Sequence, residues 1–220
     1  MQKDRPDLRL IVITDRRLAS PRSIFDVVLA ALEAGAPAVQ LRDKEATSRE
    51  LYEQALRLRE MTDRHGALLF VNDRLDVALA AGADGVHLGP DDLPIAAARR
   101  IAPPHFLIGA STDDPAAAIR AADNGADYIG CGSVFGTTTK AEAAGERIGP
   151  EGVAAVARAS PVPVIAIGGV TADTATQLAG TGIAGIAAVG AIMTANDPAG
   201  AVRSLLGAIE GGSGTAENGG

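Results

Sequence analysis

Eight short apolar runs alternate with longer amphipathic stretches along the chain, at 10–13, 38–41, 68–71, 85–88, 106–109, 128–131, 164–167 and 186–189. Each carries at least one β-branched residue, and Gly, Pro, Asp or Asn stand at their edges. A short continuous apolar run between breakers reads as a strand buried on both faces, as in a parallel sheet. The stretches between carry helical signals. Segment 23–34 offers Ser23 as an N-cap and Gly35 as a stop. Segment 47–64 has Glu50 three residues after Thr47, the spacing of a capping box. Segment 115–124 opens with Pro115 and stops at Gly125, and 171–179 and 197–209 follow the same logic. Strand–helix alternation eight times over predicts an α/β fold, a single-domain (β/α)8 TIM barrel, with an open doubly wound sheet as its competitor.

Phrases such as "AGADGVHLG" and "NGADYIGCG" echo one another as a helix end, a Gly stop and a buried strand. The barrel is expected over 1–210. The Gly-rich end 211–220, GGSGTAENGG, reads as a disordered tail.

Composition narrows the picture. The chain has 220 residues, 47% of them hydrophobic but only 3% aromatic, so small aliphatic residues must fill the interior. A net charge of −7 without a Lys/Arg block argues against nucleic acid, whose binding runs on charge neutralisation. It does not exclude a local cationic pocket for anionic metabolites. No apolar stretch is long enough to span a membrane, and the opening MQKDRPDLRL is too charged for a signal peptide. Cys131 stands alone, which fits a reducing compartment, and a cytoplasmic enzyme is expected. Oligomeric state stays open, a homo-oligomer included.

In this fold the loops after the strands build the active site. Past the second run stand Gln40, Arg42 and Lys44, whose alternation sends them to one side. Together they make an anion clamp, or else a solvated strand end. Past the third and fourth runs come Asn72 with Asp73, and Asp91 with Asp92. Acids on adjacent strand ends can share a hard cation such as Mg2+, but an Asp at such a turn can equally cap the next helix. Ser111 could bond phosphate or cap helix 115–124. The long loop 132–149 carries Thr137, Thr138, Thr139 and Lys140, which suit a closing phosphate grip. Gly168, Gly169, Val189 and Gly190 lie where barrels often hold a phosphate with backbone amides, although paired glycines also make plain turns. His87 reads as a packed or hydrogen-bonded histidine, His65 and His105 as exposed, and Cys131 as a buried small hydrophobe. The residues thus suggest two anion sites, one cationic and metal-assisted, the other built from backbone.

The motifs "ITDRRL", "VQLRDK", "VNDRLDVALAAGADGVHLGPDDL", "IGASTDDPAAAIRAADNGADYIGCGSVFGTTTK" and "PVIAIGGV" occur in order from about residue 10 to 195. In combination they resemble the thiamine phosphate synthase family. The resemblance implies an Mg2+-dependent transferase that joins hydroxymethylpyrimidine diphosphate to thiazole phosphate, releasing pyrophosphate. It also implies roles. Gln40, Arg42, Lys44, Asn72, Ser111 and Lys140 would hold the diphosphate, with Arg42, Lys44, Ser111 and Lys140 acting in catalysis. Asp73 and Asp92 would ligate Mg2+. Thr137, Thr139, Gly169, Val189 and Gly190 would hold the thiazole phosphate. Three positions depart from the family pattern: Pro90 for Gln, Gly136 for Pro and Gly190 for Ser. Two alternatives stand beside this reading. One is the related thiazole tautomerase, which uses a His after strand 6 where this chain has Gly132 to Phe135. The other is a non-catalytic phosphate-binding barrel.

Overall fold

The computed structural model describes residues 6–136 and 147–213. Eight parallel strands close into a barrel in sequence order, β1 Leu10–Ile13, β2 Ala38–Leu41, β3 Leu68–Asn72, β4 Gly85–Leu88, β5 Leu107–Ser111, β6 Tyr128–Cys131, β7 Val164–Ile167 and β8 Gly185–Ala188. Five of the eight coincide with the apolar runs residue for residue. The others differ at their ends, because a ladder is held by main-chain bonds and ignores side-chain polarity. Asp73 N–H donates to His87 O at 2.8 Å, and Thr112 N–H to Gly130 O at 3.1 Å, which carries β3 and β5 onto the polar residues Asn72 and Ser111.

Period-two alternation splits the apolar residues into two clusters. Val12, Val39, Leu69, Val71, Val86, Ile108, Ile129, Ala166 and Ile186 face outward, under the helices. Ile11, Ile13, Ala38, Phe70, Tyr128, Ile165 and Ala187 point into the barrel. Cys131 belongs to the outer cluster and is fully buried, and burial pushes its thiol up to about 12. It is a small hydrophobe rather than a nucleophile.

Helices fill the stretches between the strands. In chain order they are α1 Arg16–Ala19, α2 Ile24–Glu33, α3 Ser48–His65, α4 Leu75–Ala80, α5 Ile95–Ile101, α6 Pro115–Asp123, α7 Gly149–Ala159, α8 Ala172–Ala175, α9 Gly190–Met193 and α10 Pro198–Ser213. Ser23 accepts from Phe25 N–H at the start of α2. Thr47 and Glu50 close a full capping box on α3. Two expectations need correcting. Segment 171–179 is not one helix: Thr171 caps α8, which gives way to a 3-10 turn at Thr176–Leu178. The hydroxyls of Thr174 and Thr176 bond to Gly169 O and Asp173 O, and such local bonds compete with a regular helix. The last helix does not end at Ile209 but continues through Gly211 to Ser213, since an established ladder tolerates a glycine at about 1 kcal/mol. Residues 214–220 of the expected tail lie outside the described residues, as do Thr137, Thr138, Thr139 and Lys140. Among the described residues, no helix is long and apolar enough to cross a membrane.

Candidate active site

The C-terminal ends of the strands open into a cavity of about 500 Å3. Its two walls differ in character. One side carries Gln40, Arg42, Asn72, His87 and Ser111, from β2 to β5; the other carries Ile11, Ile13, Ile165, Ile167 and Ala187, from β1, β7 and β8. Interior phase on each strand selects these residues, so the polar side of the barrel was written into every second position of four strands.

Gln40 is 3% exposed on the interior face of β2. The main chain of Arg42 is tied to β1: its N–H donates to Thr14 Oγ1 at 2.9 Å, and Thr14 Oγ1 donates back to Arg42 O at 3.2 Å. Arg42 Nε is buried with no partner among the described residues, a donor in want of an acceptor. Asp43 turns away, nearly buried against Arg16 and Gln54. Lys44 does not join Gln40 and Arg42 in the main cavity, because the strand ends at Leu41 and its alternation ends with it. It lines an adjoining hollow of about 200 Å3 together with Asp73. Asn72 borders both spaces and joins them.

The alternative of helix capping fails for Asp73, Asp91, Asp92 and Ser111 alike. The N-cap of α4 is Arg74 and that of α5 is Pro94, neither with a side-chain cap bond, so Asp73 and Asp92 cap nothing. The cap of α6 is Asp114, whose Oδ1 accepts from Ala117 N–H at 2.7 Å, which leaves Ser111 free for the cavity. Asp92 Oδ2 instead accepts from Gly89 N–H at 2.7 Å, which fixes the turn after β4.

The carboxyl groups of Asp73 and Asp92 are close neighbours. Burial, then the neighbouring carboxylate of Asp92, push Asp73 up to about 6, and Lys44 and Arg42 only partly offset this. Lys44 Nζ lies 3.9 Å from Asp73 Oδ2. Asp73 is also held at φ 65°, a left-handed conformation that Asp tolerates better than most residues. Two crowded carboxylates are the arrangement a divalent cation relieves. Among the described residues no third His, Cys, Asp or Glu joins them. That donor set fits Mg2+, which takes one or two carboxylates and fills its other positions with water and phosphate oxygens. It would not make a closed structural zinc site.

His87, 8% exposed, sits between two hydroxyls: Nδ1 is 3.0 Å from Tyr128 Oη and Nε2 is 2.8 Å from Ser111 Oγ. The expected packed, hydrogen-bonded histidine is therefore also a wall of the cavity. His65 and His105 are exposed, as the sequence suggested. On the far side Gly169, Val189 and Gly190 line the cavity as expected. Tyr128, Ser133 and Arg147 line it too, and the sequence reading had passed over them. The one usable signal was for Tyr128, a tyrosine in an otherwise aliphatic strand that needs a hydrogen-bond partner when buried.

The profile of a family described as thiamine monophosphate synthase matches residues 10–192. The chain is 47% identical to the thiamine-phosphate synthase of Pyrococcus furiosus, over 94% of this chain and 97% of that protein. It is 45% identical to that of Haloquadratum walsbyi, over 92% of each. Among solved structures, a thiamine phosphate pyrophosphorylase from Pyrococcus furiosus superposes with a TM-score of 0.87 at 46% identity, covering 96% of this chain and 99% of that one. A 3-hexulose-6-phosphate synthase from Salmonella typhimurium, TM-score 0.72 at 18% identity, covering 93% of this chain and 99% of that one, shares the barrel alone.

Proposed function

The chain belongs to the thiamine monophosphate synthase family and is a transferase of thiamine biosynthesis, and from that premise we propose that it joins hydroxymethylpyrimidine diphosphate to thiazole phosphate with the help of Mg2+. The observation that carries the reading is the Asp73–Asp92 pair, set beside Lys44 and Arg42, whose buried Nε has no partner among the described residues. Acids and bases at one rim are what a metal-bridged diphosphate needs: carboxylates for the cation, cations for the phosphate oxygens.

Asp73 and Asp92 would hold Mg2+. When bound, the ion supplies charge neutralisation to the departing pyrophosphate. The bond between the pyrimidine methylene carbon and the diphosphate oxygen breaks, and its electron pair leaves with pyrophosphate. The resulting cation is spread over the aminopyrimidine ring. The thiazole nitrogen then donates its lone pair to the methylene carbon, and thiamine phosphate forms. Arg42, Lys44 and Lys140 would stabilise charge on the leaving group, with Gln40, Asn72 and Ser111 holding the same substrate in place. No strong general base is required, which agrees with a cavity whose histidine is engaged at both ring nitrogens. The isoleucines of β1 and β7 offer an apolar surface for two heteroaromatic rings, pre-positioning nucleophile and electrophile. Gly169, Val189 and Gly190, with Thr137 and Thr139, would receive the thiazole phosphate.

The test is to incubate the purified protein with both reactants and Mg2+ and to assay thiamine phosphate, with EDTA and Asp92→Ala controls. Product that requires Mg2+ and collapses in the variant is the expected result. A folded protein that forms none overturns the reading.

A further inference from the structure

Two polar side chains on the β6–β7 side of the cavity have no work in the scheme above. Ser133 is 6% exposed and lines the cavity, yet its Oγ is buried without a hydrogen-bond partner among the described residues. Buried hydroxyls without partners are rare enough in folded proteins that each calls for a reason, and a ligand is one. The hydroxyl lies against Gly168, where a Cβ would come within 2.4 Å of Ser133 Oγ. So only glycine at 168 leaves the hydroxyl its place in the cavity wall.

Arg147 stands above it on the same seam. The chain returns here from the loop after β6, and the return is pinned: Ile148 N–H donates to Ser133 O and Gly149 N–H to Val134 O, both at 3.1 Å. Arg147 lines the cavity from the solvent side, and no carboxylate among the described residues pairs with it, in a protein of net charge −7. Its guanidinium lies over Gly136, where a Cβ would stand 2.8 Å from Nε, and Gly136 has φ 90°. Any side chain at 136 would be strained and would displace the guanidinium. Gly136 in turn packs on the next strand end, its carbonyl 2.4 Å from where a Cβ on Gly169 would sit. The two neighbours, Gly169 and Gly190, bring no side-chain donor to this wall.

We propose that Arg147 and Ser133 are specificity residues for the phosphate-bearing nucleophile. The guanidinium pairs with its phosphate monoester at the mouth of the barrel, and the Ser133 hydroxyl bonds to the same reactant one layer below. This rests on the proposed function, since it assigns its second substrate. A planar guanidinium suits a monoester dianion, and a buried hydroxyl can donate or accept as the ligand requires.

The test is calorimetric titration of thiazole phosphate into wild type, Arg147→Gln, Arg147→Lys and Ser133→Ala, together with KM for each reactant. Arg147→Gln should weaken binding of thiazole phosphate and raise its KM by about tenfold, the worth of one charge-assisted hydrogen bond, and leave KM for the diphosphate within about twofold. Arg147→Lys should recover part of the loss. The unphosphorylated thiazole alcohol should bind wild type and Arg147→Gln alike. Ser133→Ala should weaken thiazole phosphate by about threefold, one neutral hydrogen bond, with little change in melting temperature, because no hydrogen bond to the described residues is lost. Unchanged affinity for thiazole phosphate in both variants, or an equal rise in both KM values, overturns the inference. A wild type that makes thiamine phosphate while the variants behave as wild type sinks this inference alone. A wild type that makes none sinks the proposed function, and titration with thiazole phosphate still decides whether the two residues bind the monoester.

Discussion

His87 Nε2 lies 2.8 Å from Ser111 Oγ, and the other ring nitrogen is taken by Tyr128. Complete burial holds the Tyr128 hydroxyl protonated, far above the usual tyrosine range. If that hydroxyl donates to Nδ1, Nε2 carries the ring proton and donates to Ser111, whose own hydroxyl proton is left to point into the cavity. His87 is then a positioning residue: it sets Ser111 as a donor toward a phosphate oxygen. His87→Gln should lower kcat/KM for the diphosphate by about tenfold, roughly 1–1.5 kcal/mol. Ser111→Ala should show a similar loss, and the double variant should lose no more than either alone. Additive losses would mean that His87 acts apart from Ser111.

Room for this triad comes from two glycines on the interior faces of β5 and β6. A Cβ at Gly109 would meet Tyr128 Cζ at 2.2 Å and His87 Nδ1 at 2.5 Å, and one at Gly130 would meet His87 Cε1 at 2.7 Å. Neither contact is survivable without moving a fully packed ring. Gly109→Ala and Gly130→Ala should each destabilise the protein by about 1–3 kcal/mol, the range for overpacking a core, read as a lower melting temperature. A glycine outside the barrel interior such as Gly207, with nothing within 4 Å of its Cβ position, serves as the control, and Gly207→Ala should be neutral or stabilising.

How much of this was legible beforehand differs by level. The strands were legible because each run is continuous, apolar and bounded by breakers, and the capping-box pair Thr47 and Glu50 marked α3 without help. The cluster of Gln40, Arg42, Asn72 and Ser111 followed from strand order, because in a closed parallel barrel every strand end meets the same mouth. Lys44 could not be placed, since alternation stops being informative once the ladder ends. The competition between capping and metal binding at Asp73 was likewise closed to sequence: φ 65° at a non-glycine residue has no signature in the letters. Ser133 and Arg147 were invisible for another reason. Their place depends on how the ends of a long loop are pinned to each other, which involves no periodic pattern.

The echo between "AGADGVHLG" and "NGADYIGCG" has a structural meaning at the opposite end of the barrel. Asp84 Oδ2 accepts from Leu69 N–H at 2.7 Å and pairs with Arg59 at 2.6 Å. Asp127 Oδ2 accepts from Ile108 N–H at 2.8 Å and pairs with Arg99. Each Asp precedes an even-numbered strand, ties its carboxylate to the amide of the preceding strand and recruits an arginine from the helix that leads into that preceding strand, α3 for Arg59 and α5 for Arg99. Asp84→Ala and Asp127→Ala should each reduce stability by about 1.5–3 kcal/mol, the range for a hydrogen bond to a charged group. Urea unfolding measures this, and kinetic constants of the folded fraction should stay unchanged, because these residues lie away from the cavity. A drop in kcat/KM at full folding would contradict a purely structural role.

The acidic pair makes a prediction about pH and metal together. In the metal-free protein Asp73 is pushed up to about 6 from an ordinary 3.8, so the folded chain binds this proton more tightly than the unfolded chain does. Its ionised form therefore destabilises the fold above about pH 6, and the penalty fades as pH falls from 6 and is gone only below 3.8, where both states are protonated. A full shift of this size would be about 3 kcal/mol, but the side chain is 28% exposed, and solvent screening reduces this to roughly 1–2 kcal/mol. Asp73→Asn removes the charge and keeps a residue that tolerates the left-handed backbone. In EDTA the variant should exceed wild type in stability by about 1 kcal/mol at pH 7, and the difference should shrink to a few tenths of a kcal/mol, about 0.3, near pH 4. With Mg2+ the order should reverse: the ion neutralises the pair in wild type and raises its melting temperature, while the variant responds weakly. Chemical denaturation at the two pH values, with and without Mg2+, measures all four states. A variant less stable than wild type in EDTA at pH 7 would mean that the pair is held by Lys44 and Arg42 rather than waiting for a cation.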